Sequence, residues 1–352
     1  NEVVNQARAK DALRSYVASG RLPHALLLRG PGGSGKLLLA WALAQYLNCQ
    51  APTPAQDACG QCANCRKAAQ MVHPDLHWLA PIPAAGAGKA SLTDDHLPAL
   101  RARLAEHPYL SLAEWTASLD AENKQLAIAI SDVRELRRKL QLRAYEGRYK
   151  IAIFWHVERM GAEAANALLK LLEEPPDGTL LILTLEEPAR LLPTLASRCQ
   201  ALQLPALPEA DVAEWLRGQG LGEGQAAEVA SLAEGSLAAA RDHMRHAADA
   251  YAMPFQTWMR WCYAWALADL RRWADTLGRE PKEAQRLFLQ YGLGQLRRLL
   301  YARAGAAGLA AATAADRQFV ERMARTVDVP AIEAMAEAME TATERLARNA
   351  SP

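Results

Sequence analysis

The chain has 352 residues, with 40 Lys+Arg against 39 Asp+Glu, a formal net charge of +1. Charged residues make up 22% and apolar residues 51%. This balance excludes a disordered chain and a polybasic nucleic-acid wrapper, and the length leaves room for two or three domains. Six cysteines are too few for a disulfide scaffold. No apolar run approaches the roughly 18 residues of a membrane helix. The start, Asn1-Glu2-Val3-Val4, has no signal-peptide pattern and no initiator Met, so a few residues are expected to be missing. The expected compartment is the cytoplasm, where thiols stay reduced and no membrane is involved.

Four short apolar runs lie in the first two hundred residues: Ala25–Leu28, Leu76–Leu79, Ile151–Trp155 and Leu180–Leu185. They read as buried strands. Helical patterns lie between them at Leu37–Leu47, Asp132–Leu142 and Glu163–Leu172. Asp132 with Glu135 reads as a capping box that starts the second of these helices. Strands alternating with helices predict an α/β module with a parallel sheet.

Residues 81–127 read as an insertion between two strands: a loop at Pro81–Gly88, then a polar helical stretch. Pro205 and Pro208 mark a boundary, beyond which only helices are predicted. Glu209–Leu216 and Gln225–Leu232 form a small unit, and a longer helical region runs from Tyr251 to Asn349. Its last helix places Ile332, Met335, Met339 and Leu346 on one face. The Ala/Gly tract 304–315 reads as a connector. The expected domains are therefore 1–205, with a cysteine-rich module at 49–65 and the insertion at 81–127, then 206–247 and 248–352.

Gly30-Pro31-Gly32-Gly33-Ser34-Gly35-Lys36-Leu37 follows a strand and opens a helix, the context a P-loop requires. In such a loop the backbone N–H groups around Gly30, Gly33 and Gly35 cradle phosphates, and Lys36 reaches the β/γ-phosphates. The next residue should be a Ser or Thr that ligates Mg²⁺, but Leu37 cannot coordinate a metal. Acidic residues for Mg²⁺ and the attacking water should follow a later apolar strand. After Ile151–Phe154 stand Trp155 and His156, with Glu158 two residues further on. Two departures in one chemistry predict a hydrolytically dead site that can still hold ATP or ADP.

Cys49, Cys59, Cys62 and Cys65 place three thiols within seven residues and a fourth ten residues upstream. In a reducing compartment this spacing reads as a closed, structural Cys₄ zinc site. Disulfides and an iron–sulfur cluster are the alternatives. Cys199 and Cys262 read as small buried hydrophobes. Residues 128–150 hold seven basic side chains (Arg134, Arg137, Arg138, Lys139, Arg143, Arg148, Lys150) against three acidic ones. The cluster suits DNA phosphates, a solvated face or a protein interface. Trp258, Trp261 and Trp265 recur at helical spacing and read as core contacts.

Asn166-Ala167-Leu168-Leu169-Lys170-Leu171-Leu172-Glu173-Glu174-Pro175-Pro176 resembles the signature helix of the clamp-loader AAA+ family of bacterial DNA polymerase III. Ser197-Arg198-Cys199 resembles that family's Ser-Arg-Cys motif, and a Cys₄ module after the P-loop helix is similar to the bacterial members. The resemblance implies an AAA+ module with a zinc insertion, a helical lid and a helical collar that builds a five-membered ring. The lost acids with a retained Ser-Arg-Cys imply a subunit that does not hydrolyse ATP. Arg198 is then an arginine finger presented in trans to ATP on a neighbour. The implied partners are ATPase (gamma/tau-type) and clamp-opening (delta-type) subunits, with the sliding clamp and primer-template DNA. Thr184 matches the polar sensor position, and Ala238 stands where a second sensor arginine is expected. An active ATPase with an atypical acidic motif, and a zinc-stabilised DNA-binding scaffold with a vestigial P-loop, are the competing readings.

Overall fold

The computed structural model describes residues 3–53, 57–84, 91–121, 124–245, 249–304 and 314–347. The chain divides into two units, 1–206 and 207–352. In chain order the first runs α1 (Ala7–Ala18), β1 (Ala25–Arg29), α2 (Lys36–Leu47), α3 (Ala63–Ala69), β2 (Leu76–Leu79), β3 (Ile82–Pro83), α4 (Thr93–Glu106) and α5 (Leu112–Ser118). It continues with β4 (Leu126–Ala127), α6 (Ile130–Leu140), β5 (Lys150–Phe154), α7 (Ala162–Glu173), β6 (Thr179–Leu185), α8 (Pro193–Ala196) and β7 (Gln200–Gln203).

All four predicted strands lie in one five-stranded sheet of order β2-β5-β6-β1-β7, and every pairing in it is parallel. β5 and β6 are buried at every position, as a parallel strand covered on both faces must be. One face packs Leu27, Phe154, Leu181 and Leu183 against Leu136 and Leu140 of α6 and Leu168, Leu171 and Leu172 of α7. The apolar helix α2 covers the sheet from β1, β5 and β6. At about 1.5–3 kcal/mol per buried Leu, Ile or Phe side chain, these layers supply the main driving force for folding of this unit. Lys150 enters the core at the start of β5, where its Nζ donates to Leu140 O at 2.5 Å and Leu142 O at 3.1 Å. It thereby satisfies terminal carbonyls of α6 and the turn after it, so it is no part of a surface basic patch.

Three local expectations change. Helix α6 starts at Ile130, two residues before Asp132, whose carboxylate accepts the Thr93 N–H at 2.7 Å. Strand β7, which is polar and half-exposed, pairs with β1 at the sheet edge without any apolar run to announce it. Trp265 is 80% exposed beyond the end of a helix, although Trp258 packs on Phe255 as expected.

The insertion is closed at its base by antiparallel β3 and β4. Inside it Trp115 is fully buried, and its Nε1 donates to Pro81 O at 2.7 Å. Residues 85–88 of the predicted 81–88 loop lie outside the described residues, as do residues 305–313 of the Ala/Gly tract.

The second unit holds α9 (Glu209–Gly218), α10 (Glu223–Leu232), α11 (Leu237–Arg245), α12 (Asp249–Tyr263), α13 (Leu267–Leu277), α14 (Lys282–Arg303), α15 (Ala314–Thr326) and α16 (Val329–Ala347). Phe255, Phe288, Tyr291, Leu299, Ile332 and Met339 form its core, with Met335 and Leu346 packed at the margin. Helix α14 lies so close to α16 that a Cβ on Gly292 would sit 2.8 Å from the Met339 sulfur. Among the described residues no helix is long and apolar enough to cross a membrane.

Candidate functional site

The loop after β1 runs along the C-terminal edge of the sheet, where open α/β sheets bind ligands. Gly33 and Gly35 have φ of +71° and +93°, so the loop turns through conformations that side chains disfavour. Gly30 is packed under the loop: a Cβ there would overlap Leu204 O at 2.0 Å. Gln6 Nε2 bridges Ser34 O at 3.1 Å and Pro205 O at 2.9 Å, so the segment before α1 is tied to the loop.

Lys36 is only 4% exposed. Its Nζ donates to Gly30 O at 2.8 Å and Pro31 O at 2.6 Å, and pairs with Glu186 Oε1 at 3.1 Å. Burial lowers the Lys36 pKa below the ordinary lysine value, and the Glu186 carboxylate works against that shift.

The ends of β5 and β6 face the loop. Thr184 is buried, and its Oγ1 accepts the His156 N–H at 3.1 Å. His156 takes a left-handed turn, φ +55°, and its Nδ1 lies 3.1 Å from Glu158 Oε1. The same oxygen accepts the Glu186 N–H at 3.2 Å. Burial would raise the Glu158 pKa, but the His156 contact and these backbone donors outweigh it and hold the carboxyl below the ordinary value. Glu158 is thus engaged in joining the two strand-end loops. Trp155 is buried, 6.2 Å from Trp115 between ring centres. Leu37 lies within the apolar layer of α2, 7% exposed.

A cleft of about 320 Å³, open to solvent, remains over the loop. Lys36, Leu37, Trp155, Thr184 and Glu186 line it together with Pro108, Tyr109 and Leu110 of the insertion. The Tyr109 hydroxyl accepts the Val4 N–H at 2.8 Å, and its ring would be 3.4 Å from a Cβ on Gly35. Sequence reading passed over Gln6, Tyr109 and Glu186. Each is a lone polar residue in no recognisable spacing, and only the fold brings it to the loop.

The four cysteine sulfurs lie within 4.8 Å of one another, and Cys59 Sγ is 3.9 Å from Cys65 Sγ. A tetrahedral zinc with bonds of about 2.3 Å needs sulfurs about 3.8 Å apart, so this set fits the ion. The N–H groups of Cys59, Cys62 and Cys65 point at the sulfurs of Cys49, Cys59 and Cys62, at 3.3, 3.3 and 3.4 Å. Backbone donors at Gln61 and Cys62 lower the Cys59 pKa to about 6, whereas burial raises that of Cys65. The module is fixed to the P-loop helix: Trp41 Nε1 donates to Ala68 O at 2.7 Å, and Gln45 Nε2 to Cys65 O at 3.1 Å.

Arg198 follows α8 on the surface, its side chain 38% exposed. Its Nη2 is 2.7 Å from Glu173 Oε1 at the end of α7, and its Nη1 donates to Thr194 O at 3.1 Å. Cys199 beside it is partly buried, and burial raises its thiol to about 11. On α6, Arg134, Arg137 and Arg138 are exposed, but Arg138 pairs with Glu135 at 2.7 Å and Lys139 pairs with Asp94.

The parallel sheet, the loop between β1 and α2, and the Cys₄ module beside that helix define a P-loop AAA+ module. The family described as "DNA polymerase III, delta subunit" matches residues 5–208. A DNA polymerase III subunit delta' of Pseudomonas aeruginosa is 34% identical over 193 residues, 55% of this chain and 46% of that one. The Escherichia coli subunit delta' is 33% identical over 202 residues, 57% of this chain and 48% of its own. The Escherichia coli subunit tau is 30% identical over 206 residues, 58% of this chain and 25% of its own. The match thus spans about half the length of the delta' relatives or less. The chain belongs to the family described as DNA polymerase III, delta subunit, and its relatives over the same region are delta' and tau subunits of that polymerase.

Proposed function

We propose that the chain is a clamp-loader subunit that does not hydrolyse ATP and lends Arg198 in trans to ATP on a neighbouring subunit while the sliding clamp is loaded on DNA. The observation that carries this reading is the contrast between its two nucleotide-related sites. At its own loop, Leu37 lies in the apolar layer, His156 is turned onto Glu158, and the Glu158 Oε1 is taken by His156 and the Glu186 N–H. Arg198, in contrast, is on the surface at the end of a short helix, where a neighbour can reach it. A guanidinium placed on a transferring phosphoryl group in this way is worth about 10³–10⁵ in rate.

In this reading the gamma/tau-type ATPase and delta-type subunits are the partners, with the clamp and primer-template DNA in the same assembly. Residues 206–247 serve as the lid and 248–352 as the oligomerisation collar. Cys49, Cys59, Cys62 and Cys65 hold a structural zinc, because four thiolates leave no open position for a substrate. Gly30, Gly33, Gly35, Lys36 and Thr184 form a nucleotide site that binds ATP or ADP without turnover.

The test is reconstitution with the ATPase and clamp-opening subunits. Arg198→Ala is expected to lower DNA- and clamp-stimulated ATP hydrolysis at least a hundredfold with the complex still assembled. Unchanged stimulated hydrolysis, or robust turnover by the purified chain alone, overturns the proposal.

A further inference from the structure

An ammonium has three N–H donors. Those of Lys36 meet Gly30 O, Pro31 O and Glu186 Oε1 at 2.8, 2.6 and 3.1 Å, and Ser34 Oγ is further away at 3.5 Å. The group that should reach for a phosphate is therefore fully engaged inside the chain. The anion it holds lies against the loop itself: a Cβ on Gly32 would be 3.2 Å from Glu186 Oε2. Gly32 has no side chain to keep the Glu186 carboxylate away from the loop.

The pose of Glu186 is fixed from behind. Its N–H is bound by Glu158 Oε1 at 3.2 Å, and its Oε1 is 4.0 Å from His156 Nε2. Glu158, two residues past the positions of the expected acids, thus anchors the backbone at Glu186, and His156 stands beside its carboxylate. At the mouth of the cleft, Tyr109 of the insertion closes over Gly35 and ties down Val4.

We propose that Glu186 is an internal anion that occupies the phosphate position of the P-loop, so that a nucleoside di- or triphosphate enters only when Glu186 leaves Lys36. The inference rests on the reading of the loop as a nucleotide site, and it adds the regulation of that site. Binding is weak while the latch is closed and strengthens when it is removed. It is also indifferent to Mg²⁺, since Leu37 supplies no ligand and His156 is engaged with Glu158.

The experiment is equilibrium binding of ADP, by calorimetry and by displacement of a fluorescent ADP, to the full zinc-loaded chain. Wild type, Glu186→Ala, Glu186→Gln and the double variant Glu186→Ala/Lys36→Ala are compared. Thermal melting establishes that each is folded, and the isosteric Gln variant carries the test if the Ala variant is not. Removal of the carboxylate is expected to tighten ADP binding at least tenfold, with or without Mg²⁺, and loss of Lys36 is expected to abolish the gain. Equal affinity of wild type and folded Glu186 variants overturns the proposal. So does absence of binding by all of them at millimolar ADP, or a gain that survives loss of Lys36. Arg198→Ala in the reconstituted loader leaves this loop untouched, so the trans role and the latch stand or fall separately.

Discussion

Asp75 offers the sharpest stability test in the first unit. It is 4% exposed and sits just before β2. Its carboxylate accepts the N–H groups of Tyr145, Glu146 and Gly147 at 2.7, 2.8 and 2.6 Å. The same loop is held by Asn48, whose Oδ1 accepts the Tyr149 N–H at 2.9 Å and whose Nδ2 donates to Tyr149 O at 3.0 Å. Asp75→Ala removes three charge-assisted bonds, each worth about 1.5–3 kcal/mol in isolation. Tyr145 and Glu146 are exposed, so water takes over part of the loss, and bonds within one network are not additive. The expected cost is about 2–4 kcal/mol, or roughly 5–15 °C in melting temperature for a unit of this size. Asp75→Asn keeps an acceptor but loses the charge, and should fall about midway. The acid limb gives a second readout. Burial alone would raise the Asp75 pKa, but the three amide donors hold it below the ordinary value of 3.8. Its folded pKa is thus the lower one, and its contribution is present above about pH 4 and lost as pH falls below that. Urea unfolding of wild type and both variants, repeated at pH 7 and in acid, measures this. An Asp75→Ala variant within about 0.5 kcal/mol of wild type at pH 7, an eighth to a quarter of the expectation, would refute the reasoning.

Chelation of zinc should lower the melting temperature by about 5–10 °C without unfolding the chain, because Trp41 and Gln45 still hold α3 on α2. Four thiols should then become reactive to a thiol reagent, and four reactive thiols in the untreated, metal-loaded protein would contradict the Cys₄ assignment. His77 supplies a different pH dependence. Burial, with Lys139 adding to it, lowers its pKa to about 4. Between pH 6.5 and 4 the unfolded chain binds a proton that the folded chain refuses, so stability declines as pH falls through that window. His77→Gln should flatten this limb in urea titrations, and an unchanged limb would show that another group sets it.

The sheet was legible because its central strands are buried on both faces and leave continuous apolar runs such as Ile151–Phe154. The Cys₄ cluster was legible because three of the four sit in one short stretch, where spacing alone sets their geometry. The contents of the loop were not legible. Glu186 reaches Lys36 across 150 residues, and Tyr109 reaches Val4 across 105. No local periodicity encodes such contacts, since they depend on which strand ends the sheet order places side by side. Edge strand β7 escaped for a related reason. A strand covered by one neighbour and half-exposed needs no apolar run, and its residues read as loop.

The two motifs that carry the family resemblance are separate in sequence and joined in space. Helix α7 ends in Glu173, and Glu173 holds Arg198 at 2.7 Å. Their side chains are 49% and 38% exposed, so the pair contributes at most about 1 kcal/mol to stability. Its effect is better sought in orientation than in the fold. Thr194 O takes the other arm of the guanidinium at 3.1 Å, so both arms are held without burying the charge. An anion arriving from outside would compete with one exposed carboxylate for Arg198, a contest that costs little. At the loop the balance is reversed, because Lys36 is buried and its donors are all engaged within the chain. One cation is thus exposed at the surface and the other is turned into the chain. This asymmetry supports the proposed role of Arg198 over a role for the chain's own P-loop in hydrolysis.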